Sequence, residues 1–416
     1  MSVVLFEDES VALLDPVAIG KPAFTINCGS YRLLDIAGQL GQPLGARVRE
    51  HLSAIAAADF PMLKSGGADA KSPTLWVNAR TVPSVQTLAE LGRLVKTGQP
   101  GIIRAGKAVA AALVPAGTPF GDQIGHLPTP EEFAALGLPT LEARLPLFEY
   151  AHDIIRHHLT TLGGNLEHRI ATGAYKQLSD GVLAAPDATL GKYAATDTRR
   201  GPIVLEAGST VGAYCYLSGP VHVGSGARVL EHSALKDCVA IGPTAKVGGE
   251  VEASIIEPYT NKQHHGFLGH SYLGSWINLG AGTCNSDLKN TYGQVNMEYR
   301  GQKVATGMQF VGAIVGDYAK TAINTGIFTG KTIGACSMVY GFVTTNVPSF
   351  VNYARLFGQV TEAPVEVMVA AQKRMFERRG VAQRECDIQL LHAMHALSEH
   401  ERKRSGESLS LEPLSL

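Results

Sequence analysis

One stretch of the chain, residues 254–290, concentrates the side chains that could do chemistry. It holds three histidines together with lysine, tyrosine and asparagine side chains, namely His264, His265, His270, Lys262, Tyr272, Asn278, Asn285 and Lys289. Histidine is the side chain best suited to accept a proton near neutral pH, so the stretch predicts a proton-transfer site. The alternative is that these polar groups only satisfy the exposed backbone of a loop. Their density beside "NLGAGT" favours a site.

The elements that would position these residues follow from a six-residue repeat. Starting at Leu205, every sixth residue is aliphatic for eight steps: Leu205, Val211, Leu217, Val223, Val229, Leu235, Ile241 and Val247. A small residue follows each of them after four positions, as Ser209 and Cys215 do. A period of six fits neither a helix nor simple strand alternation and is typical of a parallel β-helix. Three hexads would form one triangular coil whose aliphatic residues point inward.

Two interruptions break this repeat. It halts near Ala253 and resumes at Phe267, Leu273 and Leu279, and it halts again through "NSDLKNTYGQVNMEYRGQKVA" before resuming at Val315. Because in-phase repeats lie on both sides, the sequence predicts two loops extruded from a continuing solenoid. Loops on a rigid scaffold commonly carry binding groups.

The flanking segments complete the predicted domain order. Residues 1–140 alternate strand-like segments ("VVLFED", "TLWVNAR") with helix-like ones ("SYRLLDIAGQL", "SVQTLAELGRLVK") and predict an α/β domain. Residues 141–180 predict a linking helix whose His152, His157 and His158 are solvated. The solenoid is expected over 181–350, and amphipathic helices with a frayed tail over 351–416.

Composition excludes several partners. Among 416 residues the net charge is −1 and only 18% are charged, so no basic face of the kind that nucleic acid or a membrane surface requires is expected. Six cysteines without a CxxC pair predict neither a disulfide framework nor a thiolate zinc site. The acidic start "MSVVLFEDES" lacks the features of a secretory signal, and a cytoplasmic protein is expected.

The sequence motifs of residues 254–290 resemble those of a known family. "GHSYLG", "NLGAGT" and "CN" occur in this order in the acetyltransferase domain of the bifunctional N-acetylglucosamine-1-phosphate uridylyltransferase/glucosamine-1-phosphate acetyltransferase. The whole of "NKQHHGFLGHSYLGSWINLGAGTCNSDLKNTYG" looks like an alternative form of that protein, a group of sugar nucleotidyltransferases with a divergent first domain. "LFED" and "WVNAR" also look like that group. The resemblance is strong over residues 259–345 and faint before 140.

This resemblance implies a fold and an activity. The fold is a divergent, Rossmann-like α/β nucleotidyltransferase domain, then a left-handed parallel β-helix of hexapeptide repeats, then a C-terminal helical segment. The activity is transfer of an acetyl group from acetyl-CoA to a hexosamine 1-phosphate, in the synthesis of nucleotide sugars of the UDP-N-acetylglucosamine type. Mg²⁺ and a nucleoside triphosphate are implied only if the first domain also transfers a nucleotidyl group.

The resemblance also implies roles for individual residues. His270 matches the catalytic base that removes a proton from the attacking amine. Five further positions match substrate or cofactor contacts: Tyr272 and Lys262 at the sugar phosphate, Asn278 and Asn285 at the acceptor sugar, and Ala281 beside the thioester carbonyl. The chain has about one hexad fewer than the family between His270 and Asn278. We therefore expect the two to converge only with help from a neighbouring subunit, or not at all, and we expect a homotrimer.

The N-terminal segment differs from the family in the motif that binds the nucleotide. The family's Gly-Gly-x-Gly-Thr-Arg phosphate loop is absent, and "SGGADAK" at 65–71 has the glycines without the arginine. Lys21 and Arg80 are better candidates for anion contacts, although ordinary surface roles are favoured for both.

Two other functions remain open from the sequence. One is a zinc hydratase of the carbonic-anhydrase-like hexapeptide group, which would recruit His264, His265 and His270 to a metal between subunits. The other is a non-catalytic scaffold or sugar-nucleotide sensor that keeps the solenoid without the chemistry.

Overall fold

The structure is a computed structural model that describes residues 1–65, 72–118, 120 and 126–404. Its first part is an α/β unit built on one sheet. In spatial order the strands of this sheet are Lys64–Ser65, Leu44–Arg47, Ser2–Phe6, Thr74–Asn78, Ala108–Val114 and Gly101–Ala105. The first four run parallel to one another, and Ala108–Val114 is antiparallel to both of its neighbours, Thr74–Asn78 and Gly101–Ala105. The helices around it are Leu33–Gly38, Ser53–Asp59, Val85–Thr97 and Pro130–Ala135, with short 3₁₀ turns at Glu9–Leu14, Ala23–Thr25 and Glu50–Leu52. The predicted α/β fold is confirmed.

The second part is a parallel β-helix with three faces, as the six-residue repeat predicts. Face A stacks Val182–Ala184, Ile203–Leu205, Val221–Val223, Val239–Ile241, Ile255–Ile256, Tyr272–Leu273, Ala313–Val315 and Lys331–Ile333, with Lys176–Ser179 added antiparallel at one end. Face B stacks Thr189–Leu190, Thr210–Val211, Arg228–Val229, Lys246–Val247 and Asn261–Lys262, and continues after Asn278 with Lys320–Thr321, Met338–Val339, Val351–Ala354 and the antiparallel Gln359–Glu362. Face C stacks Ala195–Asp197, Tyr216–Ser218, Ala234–Lys236, Glu250–Glu252 and Phe267–Gly269, and further along Cys284–Asn285, Gly326–Ile327 and Phe342–Val343.

The aliphatic residues of the repeat form the interior ladders of this solenoid. Val223, Ile241 and Ile256 succeed one another on face A, and each is fully buried. Val229 and Val247 do the same on face B. The register of the coils is thus set by the inward-pointing positions that the sequence pattern marks.

Only one of the two interruptions is an extruded loop. At the first, the coils shorten and the strands stay stacked, since Ile241 pairs with Ile256 fifteen residues later. The prediction of a loop there is wrong, because losing a few corner residues shifts the six-residue phase without expelling the chain. The second interruption does leave the solenoid and contains the antiparallel hairpin Asn296–Tyr299 and Gln302–Ala305.

The α/β unit packs on face A of the solenoid. The outward-pointing residues Ile255, Tyr272 and Ile314 belong to the same hydrophobic core as the N-terminal strands. Further along this face, Val204 and Ala240 are covered by the helix His152–Thr172. Face A is therefore an internal surface of the molecule.

Two histidines of that linking helix are buried, so the prediction that they are solvated is wrong. His158 is completely buried, accepts the Gly29 N–H at Nδ1 (3.0 Å) and faces the Cys238 carbonyl with Nε2 (2.8 Å). His152 is also buried and pairs with the hydroxyl of Tyr299 (2.8 Å). Both rings join the helix to other parts of the chain, which periodicity within the helix cannot reveal.

The buried histidines predict a loss of stability in acid. Burial lowers the pKa of His158 to about 4, below the ~6.5 of a histidine in an unfolded chain. At a pH between these two pKa values, the histidine is protonated in the unfolded chain and neutral in the folded chain. Stability should be full above pH ~6.5 and fall by up to ~3 kcal/mol as the pH drops toward 4. Urea unfolding from pH 7 to pH 4.5 measures this, and His158→Gln should flatten the profile. A wild-type profile no steeper than that of His158→Gln would contradict it.

The C-terminal helices close one end of the molecule. They span Val365–Glu377, Glu385–Leu397 and Glu399–Arg404, after a 3₁₀ turn at Arg355–Phe357. Their apolar residues form one cluster with residues of the α/β unit and of the solenoid. The predicted amphipathic helices are confirmed. Within the described ranges, no helix is both long enough and apolar enough to cross a bilayer.

Candidate active site

His270 lies at the corner where the face C strand Phe267–Gly269 ends and the face A strand Tyr272–Leu273 begins. Its Nδ1 is 2.9 Å from Oδ2 of Asp287, and both side chains are 14% exposed. The ring of Phe310 stacks on the imidazole with 5.1 Å between ring centres. No described residue makes a hydrogen bond to Nε2. The corner thus presents an imidazole with one nitrogen held by a carboxylate and the other available to a substrate.

Asp287 is a candidate site residue that sequence reasoning missed. It lies 17 residues after His270, the same interval that separates Leu268 from Asn285 one coil later. Since stacked residues of a solenoid repeat at the coil length, this interval places the carboxylate directly over the histidine. The length of this coil could therefore have predicted from the sequence that Asp287 lies beside His270.

Asn285 fixes the backbone of Gly269, the residue before His270, and its side chain points into the solenoid and not toward a substrate. Its Oδ1 accepts the Gly269 N–H (2.9 Å), and its Nδ2 donates to the Gly269 carbonyl (3.0 Å). The side chain is buried at an inward position stacked with Ile327. A Cβ at Gly269 would lie 2.3 Å from Oδ2 of Asp287, so any larger residue there would displace the carboxylate that holds His270. The predicted acceptor contact for Asn285 is corrected to a positioning role.

Lys262 is an interior residue of the solenoid, so its predicted phosphate contact is wrong. It stacks with Val247 on an inward ladder, and its Nζ donates to the carbonyls of Gly248, His264 and Gly266 at 2.7–2.9 Å. These three acceptors use all three ammonium hydrogens. Burial lowers the pKa of Lys262 to about 8, so the group is still mostly protonated at pH 7.

Tyr272 is also internal, contrary to the predicted sugar-phosphate contact. It points outward from face A into the core shared with the α/β unit and is fully buried. Its hydroxyl donates to Oε1 of Glu257 (2.6 Å), which also accepts the Asn27 N–H (2.9 Å). Burial raises the pKa of Tyr272 well above its ordinary value. The residue fastens the two parts of the chain together.

Asn278 lies on face B, which is opposite the corner that carries His270. It is exposed and accepts a long hydrogen bond from Asn261 (3.4 Å), whose own Oδ1 accepts from Arg379 (2.8 Å). Ala281 follows it at the turn from face B to face C. Neither residue meets His270 within one chain, in agreement with the shortened spacing.

The other candidate residues of the stretch are on the surface. His264 and His265 are exposed, and the ammonium of Lys289 donates to the carbonyl of Gln294 (2.9 Å). Within the described part of a single chain, no three histidine, cysteine or acidic side chains are grouped to hold a metal. The zinc alternative would therefore have to be built between subunits.

The carboxyl ends of the N-terminal strands are occupied by internal ion pairs. Glu7 is fully buried and binds the backbone and guanidinium of Arg49 (2.8 and 3.1 Å). Asp8 binds the buried Arg80 through two bonds of 2.9 and 2.7 Å and also accepts from Asn78. Because these carboxylate oxygens already face arginines, the pair does not fit a Mg²⁺ site.

The candidate anion contacts of this domain have ordinary roles. Arg80 is held by Asp8, and Lys21 forms an ion pair with Asp317 of the solenoid (2.9 Å). Ser65 ends a short strand, and the remainder of "SGGADAK", residues 66–71, lies outside the described residues.

A family model, several curated proteins and several solved structures match parts of this chain. Residues 3–170 match the family described as sugar nucleotidyl transferase. The bifunctional sugar-1-phosphate nucleotidylyltransferase/acetyltransferase of Sulfurisphaera tokodaii is 28% identical over 149 residues, which cover 35% of this chain and 37% of that protein. The bifunctional protein GlmU of Jannaschia sp. is 32% identical over 125 residues, covering 28% of this chain and 27% of that protein.

Among solved structures, the UDP-N-acetylglucosamine acyltransferase of Francisella novicida is 14% identical, with a TM-score of 0.31 over 56% of this chain and 79% of that one. The matched segments span less than two-fifths of the two curated relatives named above. Through these segments the chain is related, at modest identity, to the sugar nucleotidyl transferase family and to bifunctional sugar-1-phosphate nucleotidylyltransferase/acetyltransferases.

Proposed function

We propose that the protein transfers an acetyl group from acetyl-CoA to the amino group of a hexosamine 1-phosphate at the corner that carries His270. The observation that carries this proposal is the 2.9 Å contact between Nδ1 of His270 and Asp287, with Nε2 left without a partner among the described residues. The relationship to nucleotidylyltransferase/acetyltransferases supports the reaction class.

In the proposed reaction each group of the pair has a task. Nδ1–H donates to Asp287, which orients the ring and leaves the lone pair of Nε2 to accept a proton from the attacking amine. The amine nitrogen forms a bond to the thioester carbonyl carbon, and the carbon–sulfur bond then breaks. The proton held on Nε2 can pass to the departing thiolate. Asp287 stabilises the imidazolium that exists between these two transfers.

In this proposal, the remaining substrate contacts come from another copy of the chain. Asn278 and Ala281 lie away from His270, and face A is covered by the α/β unit, so the contact between subunits involves face B or face C. Face C exposes aromatic side chains, with Phe342 57% and Phe328 51% exposed, and Phe310 lies against His270. Exposed apolar patches of this kind commonly mark interfaces. We propose a homotrimer with the active sites between subunits.

The trimer is tested by light scattering on the purified protein. At micromolar concentration the mass should be three times that of the 44.1 kDa chain. Phe342→Glu should produce monomers without acetyl transfer, because a charge in the interface lacks a partner. Leu397→Glu, which changes an equally exposed residue on a C-terminal helix, should remain trimeric. A wild-type monomer with full activity would overturn the shared site.

Nucleotidyl transfer by the first domain is a second candidate, and the family match of residues 3–170 favours it. The assay is release of pyrophosphate from nucleoside triphosphates mixed with a sugar 1-phosphate and Mg²⁺. The internal pairs of Glu7 and Asp8 with arginines must open for these carboxylates to act. Asp8→Asn, which removes the carboxylate, should abolish any such activity while leaving acetyl transfer measurable. If only pyrophosphate release is found, the second candidate replaces the first.

A further inference from the structure

A cavity of about 480 Å³ lies at the junction of all parts of the chain. Its walls are the loop around Asp15, the tip of the 296–305 hairpin, the turn around Asn346 at the end of the solenoid, and the last described helix. His270 and Asp287 are not among its lining residues. The volume is in the range of small-molecule sites in proteins.

One side of the cavity is cationic. Arg300, at the tip of the hairpin, and Arg404, in the last described helix, both line it, and neither forms an ion pair with another described residue. Arg404 packs over Gly301, which has a φ of +82° and no side chain in the way. Arg355 and His400 lie in the same wall. The guanidinium groups of Arg300 and Arg404, in a concave site, match the oxygens of a phosphate group.

The other side holds a carboxyl group without a partner. No described residue makes a hydrogen bond to Asp15, although its Oδ1 is shielded from solvent. Burial raises the pKa of Asp15 to about 7, against the opposing field of Arg49. A buried carboxyl group without hydrogen bonds costs stability unless a bound molecule supplies a donor. The neighbouring Glu401 is already used, since it accepts the Ser349 N–H (2.8 Å).

We propose that this cavity binds a phosphorylated sugar, with the phosphate on Arg300 and Arg404 and a sugar hydroxyl donating to Asp15. A ligand with both an anionic group and hydroxyl donors satisfies the two sides of the cavity at once. The site is separate from His270 and does not depend on the proposed acetyl transfer.

Calorimetric titration of the full chain with glucose 1-phosphate tests the proposal. Saturable binding is expected, whereas glucose alone and inorganic phosphate alone should bind at least about tenfold more weakly, because each satisfies only one side. Arg300→Asn should weaken binding about tenfold or more. Asparagine is chosen because Arg300 has a φ of +50°, which asparagine tolerates.

Matched variants test whether glucose 1-phosphate binds in this cavity and not elsewhere on the protein. Asp15→Leu removes the acceptor and should weaken binding as Arg300→Asn does, whereas Asp15→Asn keeps an acceptor and should bind like the wild type. Lys303→Gln removes an exposed charge from the same hairpin outside the cavity and should have no effect. His270→Ala should also bind normally. Absence of binding to the wild type, or unchanged binding by Arg300→Asn, would overturn the proposal even if acetyl transfer is confirmed.

Discussion

Replacing His270 with alanine should lower the turnover of acetyl transfer by about 10²–10⁴-fold, the usual contribution of a general base. The side chain is 14% exposed and packs mainly against Phe310 and Asp287 at a corner of the solenoid, so the melting temperature and the trimer should be nearly unchanged. Turnover with saturating acetyl-CoA and glucosamine 1-phosphate measures the effect. The pH profile of the wild type should have an acidic limb that His270→Ala abolishes, because a protonated imidazole cannot accept a proton.

Two matched variants test whether the effect belongs to this pair. Asp287→Asn keeps the shape of the side chain but removes the charge that stabilises the imidazolium, so turnover should fall while KM stays nearly constant. His264→Ala removes an exposed imidazole of the same stretch and should have little effect. An active His270→Ala enzyme with an unaltered pH profile would refute the base assignment. Failure of the wild type with every hexosamine phosphate would favour the sensor or nucleotidyl transfer instead.

Ile241→Asp should prevent folding. Ile241 is completely buried and stacks between Val223 and Ile256 inside the solenoid, where no partner for a carboxylate exists among the described side chains. An unpaired buried charge costs about 3–5 kcal/mol. Loss of the aliphatic packing costs about 2–5 kcal/mol more. Their sum is comparable to the whole stability of a typical domain, about 5–15 kcal/mol. Soluble yield and the circular dichroism melting curve measure the effect.

Val229→Asp, at the corresponding position of face B, should behave in the same way. Ser225→Asp is the control, because Ser225 lies shortly before Val229 in the same turn of the solenoid but is exposed. Soluble Ile241→Asp protein with a normal melting curve would show that the assigned six-residue phase is incorrect.

The sequence by itself determined the architecture of the solenoid. The aliphatic ladder from Leu205 to Val247 predicts both the three-sided coil and the residues that point inward, because a fixed period in sequence becomes a fixed position in space. The resemblance of its motifs also singled out His270 as a candidate base, which stays a prediction. Two strands and two helices of the first domain, Ser2–Phe6, Thr74–Asn78, Leu33–Gly38 and Val85–Thr97, also followed from local periodicity, whereas its other elements did not.

Only the tertiary structure decided what surrounds each polar residue. Lys262 and Asn285 read as surface groups, yet they stack on inward ladders where carbonyls and amides of neighbouring coils satisfy them. Tyr272 and His158 are buried by contacts between the α/β unit, the linking helix and face A, which join residues far apart in the chain. The partnership of His270 with Asp287 likewise depends on coil length. Sequence spacing reports periodicity along one chain segment, whereas burial and charge pairing depend on which distant segment packs against it.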